Sequence, residues 1–108
     1  MITWDDFEKI DMRAGTIIAA EEFPKAKKPA YRLKIDLGEM GIKRSSAQIT
    51  TLYKAGELVG KQVIVVVNFP PRQIAGFSSE CLVLGIYAED GVVLLAPERT
   101  VENGCRIG

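Results

Sequence analysis

A small all-β barrel carrying short helices is the fold class this sequence predicts, on three observations. Apolar runs rich in β-branched residues, Val63 to Val67 above all, are short and closed off by Gly or Pro. A Pro pair after such a run marks a buried strand, because Pro cannot donate to a sheet ladder and bars the preceding residue from helix. Tyr31 to Leu37 alternates without a break, with Tyr31, Leu33, Ile35 and Leu37 on one face and Arg32, Lys34 and Asp36 on the other. The 108 residues, 47% apolar and 26% charged, suffice for one modest core without metals or disulfides and have globular rather than disordered composition.

At the start of the chain, Thr3 and Asp6 nearly match a capping box, and Trp4, Phe7 and Ile10 share one helical face, which predicts a helix over residues 4–10. Seven residues do not hold a helix in water by propensity, so the chain's own sheet or a second subunit must cover this face. Asp11 to Phe23 turns extended: Met12, Ala14, Thr16 and Ile18 alternate with Asp11, Arg13 and Gly15, and Gly15 marks the bend or bulge of a curling sheet. FPKAKKPAY is a loop. The strand Tyr31 to Leu37 follows, then a turn over Gly38 to Gly41 and a strand over IKRSSAQI, giving a basic hairpin.

Thr50 to Val59 reads as helix or turn, with Leu52, Leu58 and Val59 available to plug a barrel end. Lys61 to Gly85 holds two core strands, Val63 to Val67 and Cys81 to Leu84, joined by a polar connection with Asn68, Pro70, Pro71, Arg72, Gly76, Ser78 and Ser79. Long connections of this composition carry binding groups. Asp90-Gly91 turns between Ile86-Tyr87 and Val92 to Leu95, and residues 96–108 return as a loop to a last extended segment. No repeat or linker divides residues 1–108, which read as a single domain. A short helix between the third and fourth strands is the arrangement of the oligonucleotide/oligosaccharide-binding barrel: an all-β, five-stranded OB-fold with an added N-terminal helix.

The absence of His removes Ser-His-Asp and Cys-His chemistry and any His-ligated metal, and two isolated Cys, Cys81 and Cys105, do not make a zinc site. Both read as free thiols. No pair of acids has the spacing of an acid/base site, and Cys81 lies in an apolar strand that disfavours its thiolate, so no enzyme is expected. No window approaches a membrane span and no basic-plus-apolar leader opens the chain, which points to the cytoplasm.

Net charge is zero, yet Lys25, Lys27, Lys28, Arg32, Lys34, Lys43 and Arg44 face only Asp36 and Glu39 in the segment from 25 to 44. That local excess steers an anionic partner to one face. In this barrel class, strands 2 and 3 form the usual oligonucleotide platform. Arg32, Lys34, Lys43 and Arg44 are therefore expected to meet phosphates, with Ser45, Ser46 and Gln48 bonding sugar or base edges. Stacking is not expected there, because Tyr31 has core parity and Tyr53, Phe69 and Phe77 lie in other loops.

At NFPPRQIAGFSSECLVLG, RSSAQIT and DDFEKIDMRAGTIIAAEEFP, the sequence resembles the CsaA family of small export-related chaperones. These belong to a wider class of tRNA-binding domains found as free homodimers and as appendages of some aminoacyl-tRNA synthetases. The resemblance runs nearly end to end. The class carries an Asn, a Pro, a basic residue, a Gly and a Ser before a Met- or Leu-rich strand; Asn68, Pro70, Arg72, Gly76 and Ser79 hold those places, with Arg72 where Lys is commoner. It implies a two-fold dimer, binding of structured tRNA and, for the CsaA branch, of unfolded or presecretory polypeptide in protein export, with no cofactor and no catalysis.

On this reading Asn68, Arg72, Ser78 and Ser79 extend the basic face. Phe69, Ile74 and Phe77 offer apolar surface to a client or a second subunit, while Trp4, Phe7, the rest of residues 1–10 and the 96–108 tail serve the dimer. Phe69 and Phe77 are equally open to closing their own barrel end.

Overall fold

The computed structural model describes residues 1–108, and its elements follow from the patterns above. They are α1 (Trp4–Glu8), β1 (Met12–Glu22), β2 (Tyr31–Asp36), β3 (Ile42–Ala47), α2 (Ala55–Leu58), β4 (Gln62–Val66), β5 (Arg72–Ile74), β6 (Phe77–Ser79), β7 (Leu82–Val83), β8 (Gly85–Ala88) and β9 (Gly91–Leu94). One 3-10 turn, Gly38–Met40, joins β2 to β3. Five strands form an antiparallel sheet in the order β3-β2-β1-β4-β7, with β5-β6 and β8-β9 as separate hairpins.

The sheet curls until β3 meets the segment between β6 and β7, giving a nearly closed OB-like barrel. Side chains help to seam it. The Glu80 amide donates to the Arg44 carbonyl at 2.8 Å, the Arg44 amide to Glu80 Oε1 at 3.0 Å, and the Ser46 amide to Ser79 Oγ at 3.1 Å. The interior is filled by Ile17, Leu33, Ile35, Leu37, Leu58, Val63 and Val65, all fully buried. Of the three residues expected to plug the end, only Leu58 does so; Leu52 and Val59 point outward.

Several sequence expectations need correction. In β1 the core face carries Gly15 and Ile17, while Ile18 is exposed. A Cβ at Gly15 would sit 2.7 Å from Ile35 Cγ2 and Leu37 Cδ2, so the missing side chain lets β1 cross tightly over β2, and the register shifts between Ile17 and Ala19. Helix α1 ends at Glu8 rather than residue 10, although Thr3 and Asp6 do make a full capping box. The connection after Val67 is a β-hairpin rather than a plain loop: Ala75 and Gly76 both take positive φ and join β5 to β6, as a type I′ turn requires.

The tail is stitched to β1. Gly104 donates to the Ala14 carbonyl at 2.7 Å, Ala14 to the Cys105 carbonyl and Ile107 to the Met12 carbonyl, each at 2.9 Å. Asn103 Oδ1 accepts from Thr16 Oγ1 at 2.7 Å and from Gln62 Nε2 at 3.1 Å.

One stability prediction arises directly. Gly56 lies inside α2 with ordinary negative φ and open space where a Cβ would be. Gly56→Ala is expected to stabilise the protein by about 0.5–1 kcal/mol by removing backbone entropy from the unfolded chain, read as a higher urea midpoint with unchanged m.

Candidate nucleic-acid interface

The outer face of the β2-β3 hairpin gathers the basic groups by register. Lys34 stands opposite Arg44 and Arg32 opposite Ser46. Antiparallel partners share a face, so Arg32, Lys34, Arg44 and Ser46 point away from the core together. Lys43 and Ser45 fall on the opposite parity, across from Ile35 and Leu33. Ser45 is only 1% exposed, and its hydroxyl donates to the Cys81 carbonyl at 2.8 Å. Its side chain is spent on the barrel seam, away from the basic face. Lys43 likewise leaves the face it was expected to share, because four consecutive polar residues on a strand cannot all point one way.

Two elements wall this face. The loop after β1 brings Phe23 and Lys25 to one side, and the β5-β6 hairpin brings Phe77 over β3 from the other. Phe23 and Phe77 meet edge to face with centroids 5.5 Å apart, a favourable aromatic arrangement. The Arg32 guanidinium lies over the Phe23 ring and that of Arg44 over the Phe77 ring, each 5.3 Å from the centroid. Phe23, Pro24, Lys25, Arg32, Gly76 and Phe77 line a recess of about 400 Å³. Aromatic rings do reach this face, against the expectation that they lie elsewhere, because the β5-β6 hairpin carries Phe77 onto Arg44 and Phe23.

The charges here are only partly spent. Arg32 pairs with Glu21 at 3.3 Å and Arg44 with Glu80 at 3.6 Å, both partly exposed pairs of small net worth. The salt bridges of the structure leave Lys25, Lys27, Lys28, Lys34 and Arg72 without a carboxylate.

The connection residues separate. By register Arg72, Ile74, Phe77 and Ser79 share the hairpin face turned toward β3, and Ser78 sits on the other with Gln73. Ser79 accepts the Ser46 amide, which ties the hairpin to the basic strand. Asn68 does not join them. Its Oδ1 accepts from the Asp11 amide at 3.0 Å and its Nδ2 donates to the Lys9 carbonyl at 2.7 Å, so its amide fixes the end of α1. Beside it, Arg13 donates to Asp11 at 2.7 Å; this hydrogen bond and the nearby Arg106 hold the Asp11 carboxyl below its ordinary range.

A second patch is apolar. Helix α1 buries none of its residues: Trp4 is 85% exposed, and Phe69 is 54% exposed. Ile2, Thr3, Trp4, Phe7 and Gly108 line an open recess of about 720 Å³, with Arg106 Nη2 donating to the Glu8 carbonyl at 3.3 Å. The two chain ends thus form one surface. Cys81 is buried, which pushes its thiol up to about 11, leaving little nucleophilic thiolate at neutral pH. No helix is long and apolar enough to cross a membrane.

The comparisons with known proteins agree with this geometry. A family model described as "Putative tRNA binding domain" matches residues 12–106. The crystal structure of the CsaA chaperone protein of Picrophilus torridus superposes with a TM-score of 0.95 at 54% identity, covering 100% of both chains. That of the chaperone CsaA of Bacillus anthracis gives 0.94 at 50% identity, covering 100% of this chain and 99% of the other. The methionine–tRNA ligase of Methanococcoides burtonii is 40% identical over 105 residues, 96% of this chain. The chain spans only 15% of that enzyme's length.

Proposed function

The chain belongs to the tRNA-binding domain family, with CsaA proteins among its structural relatives, and from that premise we propose that residues 1–108 act as a homodimeric, non-catalytic tRNA-binding protein of the CsaA type, working in the cytoplasm. The observation that carries the reading is the shared outward face of Arg32, Lys34 and Arg44, flanked by the lysine-rich loop after β1 and by Arg72 on the β5-β6 hairpin. Such a face binds RNA by neutralising phosphates and releasing counterions, so affinity falls steeply with salt. Ser46 and Ser79 add polar contacts at its edge.

Dimerisation is supported by α1. A five-residue helix that its own barrel leaves uncovered needs another surface, and the recess it forms with Gly108 suits a two-fold, self-complementary contact. Two copies would present two basic faces to one L-shaped RNA.

The test is retention of tRNA across a salt series. The double variant Lys34→Ala with Arg44→Ala is expected to lose roughly tenfold or more in affinity at low salt and to flatten the slope of log K against log salt by about 1–2. Equal affinity and slope in variant and wild type would remove this face from the site.

A second reading, a chaperone for unfolded or presecretory polypeptides, is favoured by Phe69, whose exposed ring has no assigned work in the barrel. The CsaA proteins of Picrophilus torridus and Bacillus anthracis are chaperones by name, and the two activities need not compete for one surface. Phe69→Ser should then weaken suppression of client aggregation while tRNA retention is unchanged.

A further inference from the structure

We propose that Arg32 and Arg44 are stacking platforms, and that the RNA element this face takes is an unpaired segment whose bases lie on their guanidinium planes rather than a duplex. The inference rests on the RNA-binding reading above and narrows its ligand. Three observations on this face carry it.

First, both arginines rest on aromatic rings. Each guanidinium lies over a phenylalanine ring at 5.3 Å, and the rings brace each other edge to face. One surface of each guanidinium is therefore occupied while much of the side chain remains exposed, 38% for Arg32 and 46% for Arg44. A cation seated on an aromatic ring, with part of its side chain still exposed, can take a second π-system. Its rotamer freedom is already spent, so stacking there orders little more.

Second, the partners on either side limit rotation of each fork. Arg32 Nη2 donates to the Glu22 carbonyl at 3.0 Å and to Glu21 at 3.3 Å, and Arg44 lies by Glu80. Arg32 also lines the recess between the β1-β2 loop and the β5-β6 hairpin.

Third, the spacing suits consecutive nucleotides. Arg32 pairs with Ser46 and Arg44 with Lys34, so the two arginines are diagonal neighbours on adjacent strands, about 7–8 Å apart by the usual sheet geometry. Lys34 beside them and Lys25 at the recess supply charge for the phosphates between two splayed bases. A duplex hides its base faces within the stack and offers no such surface, whereas unpaired RNA is the form whose bases are available for stacking on aromatic or guanidinium planes.

The experiment uses the full chain and three probes: a tRNA transcript, a short single-stranded oligoribonucleotide carrying one 2-aminopurine, and a blunt duplex of the same sequence. Binding of the single strand tenfold or more tighter than the duplex, with a rise in 2-aminopurine fluorescence as the base leaves its neighbours in the strand, is the expected result. Arg32→Lys and Arg44→Lys keep the charge but lose the plane; each should weaken single-strand binding on the order of tenfold, the scale of one lost stack. Duplex binding and the salt slope should stay as in wild type.

The fluorescence rise with the wild-type protein is independent of how well a variant folds. RNA binding with equal affinity for both forms, no fluorescence rise and no effect of either Lys variant would overturn the stacking proposal and leave the RNA-binding reading standing. Absence of binding to any of the three probes would overturn both.

Discussion

Gly104→Ala is expected to cost about 3 kcal/mol of stability, from backbone strain and a steric clash of roughly 1–3 kcal/mol each. Gly104 has φ +93, and a Cβ there would lie 2.5 Å from the Leu37 carbonyl oxygen. Neither party yields easily: the obstacle is backbone, and the Gly104 amide is engaged with the Ala14 carbonyl. Gly38, on the facing turn, has the same difficulty against the Asn103 carbonyl, so the tail and the β2-β3 turn approach through a pair of glycines. Gly60→Ala is the matched control, since Gly60 has φ +94 with nothing within 4 Å. It should lose only about 1 kcal/mol from strain. Urea midpoints with unchanged m would read both, and equal losses at the two positions would mean that the tail does not pack as described.

The second large effect concerns assembly. Trp4→Glu should weaken the proposed homodimer by roughly 10³-fold, because a tryptophan anchor in a two-fold contact appears twice and each truncation of such an anchor costs about 2 kcal/mol or more. The introduced carboxylates would also lie buried near one another. Trp4 is 85% exposed in the isolated chain, so the monomer should keep its fold and its thermal midpoint at concentrations where it is already dissociated. Sedimentation equilibrium would show the shift. A variant that remains dimeric at the wild-type dissociation constant would place the contact elsewhere, and a wild type that is monomeric at high concentration would dismiss the dimer.

The barrel was legible in the sequence wherever one face was apolar and the other wet. Tyr31 to Leu37 predicts its own burial because alternation permits one register only, whereas residues 50–59 offer three apolar candidates for the plug, of which only Leu58 is buried. Strand β1 misleads because Ile17 and Ile18 are both apolar and the decisive core position, Gly15, has no side chain to announce it. In β3, KRSS holds four polar residues in a row, and periodicity cannot tell Lys34's neighbour Arg44 from the inward-facing Lys43 and Ser45. The seam contacts that decide it come from Ser79 to Cys81, more than 30 residues away in the chain.

The aromatic pairs were hidden for the same reason. Phe23 and Phe77 are neighbours only because Ala75 and Gly76 reverse the chain, and an Ala at positive φ is a weak turn signal by sequence. The charge cluster was visible, whereas its partition between faces was not. Asn68 shows the converse, since its place in a family motif gave no hint that both ends of its amide are taken by the backbone at Lys9 and Asp11.

Lysine footprinting of the protein with and without tRNA tests the central claim most directly, because the basic face and the rest of the surface carry separate exposed lysines. Acetylation read by mass spectrometry should fall at Lys25, Lys27, Lys28 and Lys34 when tRNA is bound, while Lys9, Lys54 and Lys61, exposed elsewhere on the chain, stay as reactive as in the free protein. Protection of Lys9 or Lys61 with Lys34 still fully reactive would contradict the assignment of the β2-β3 face.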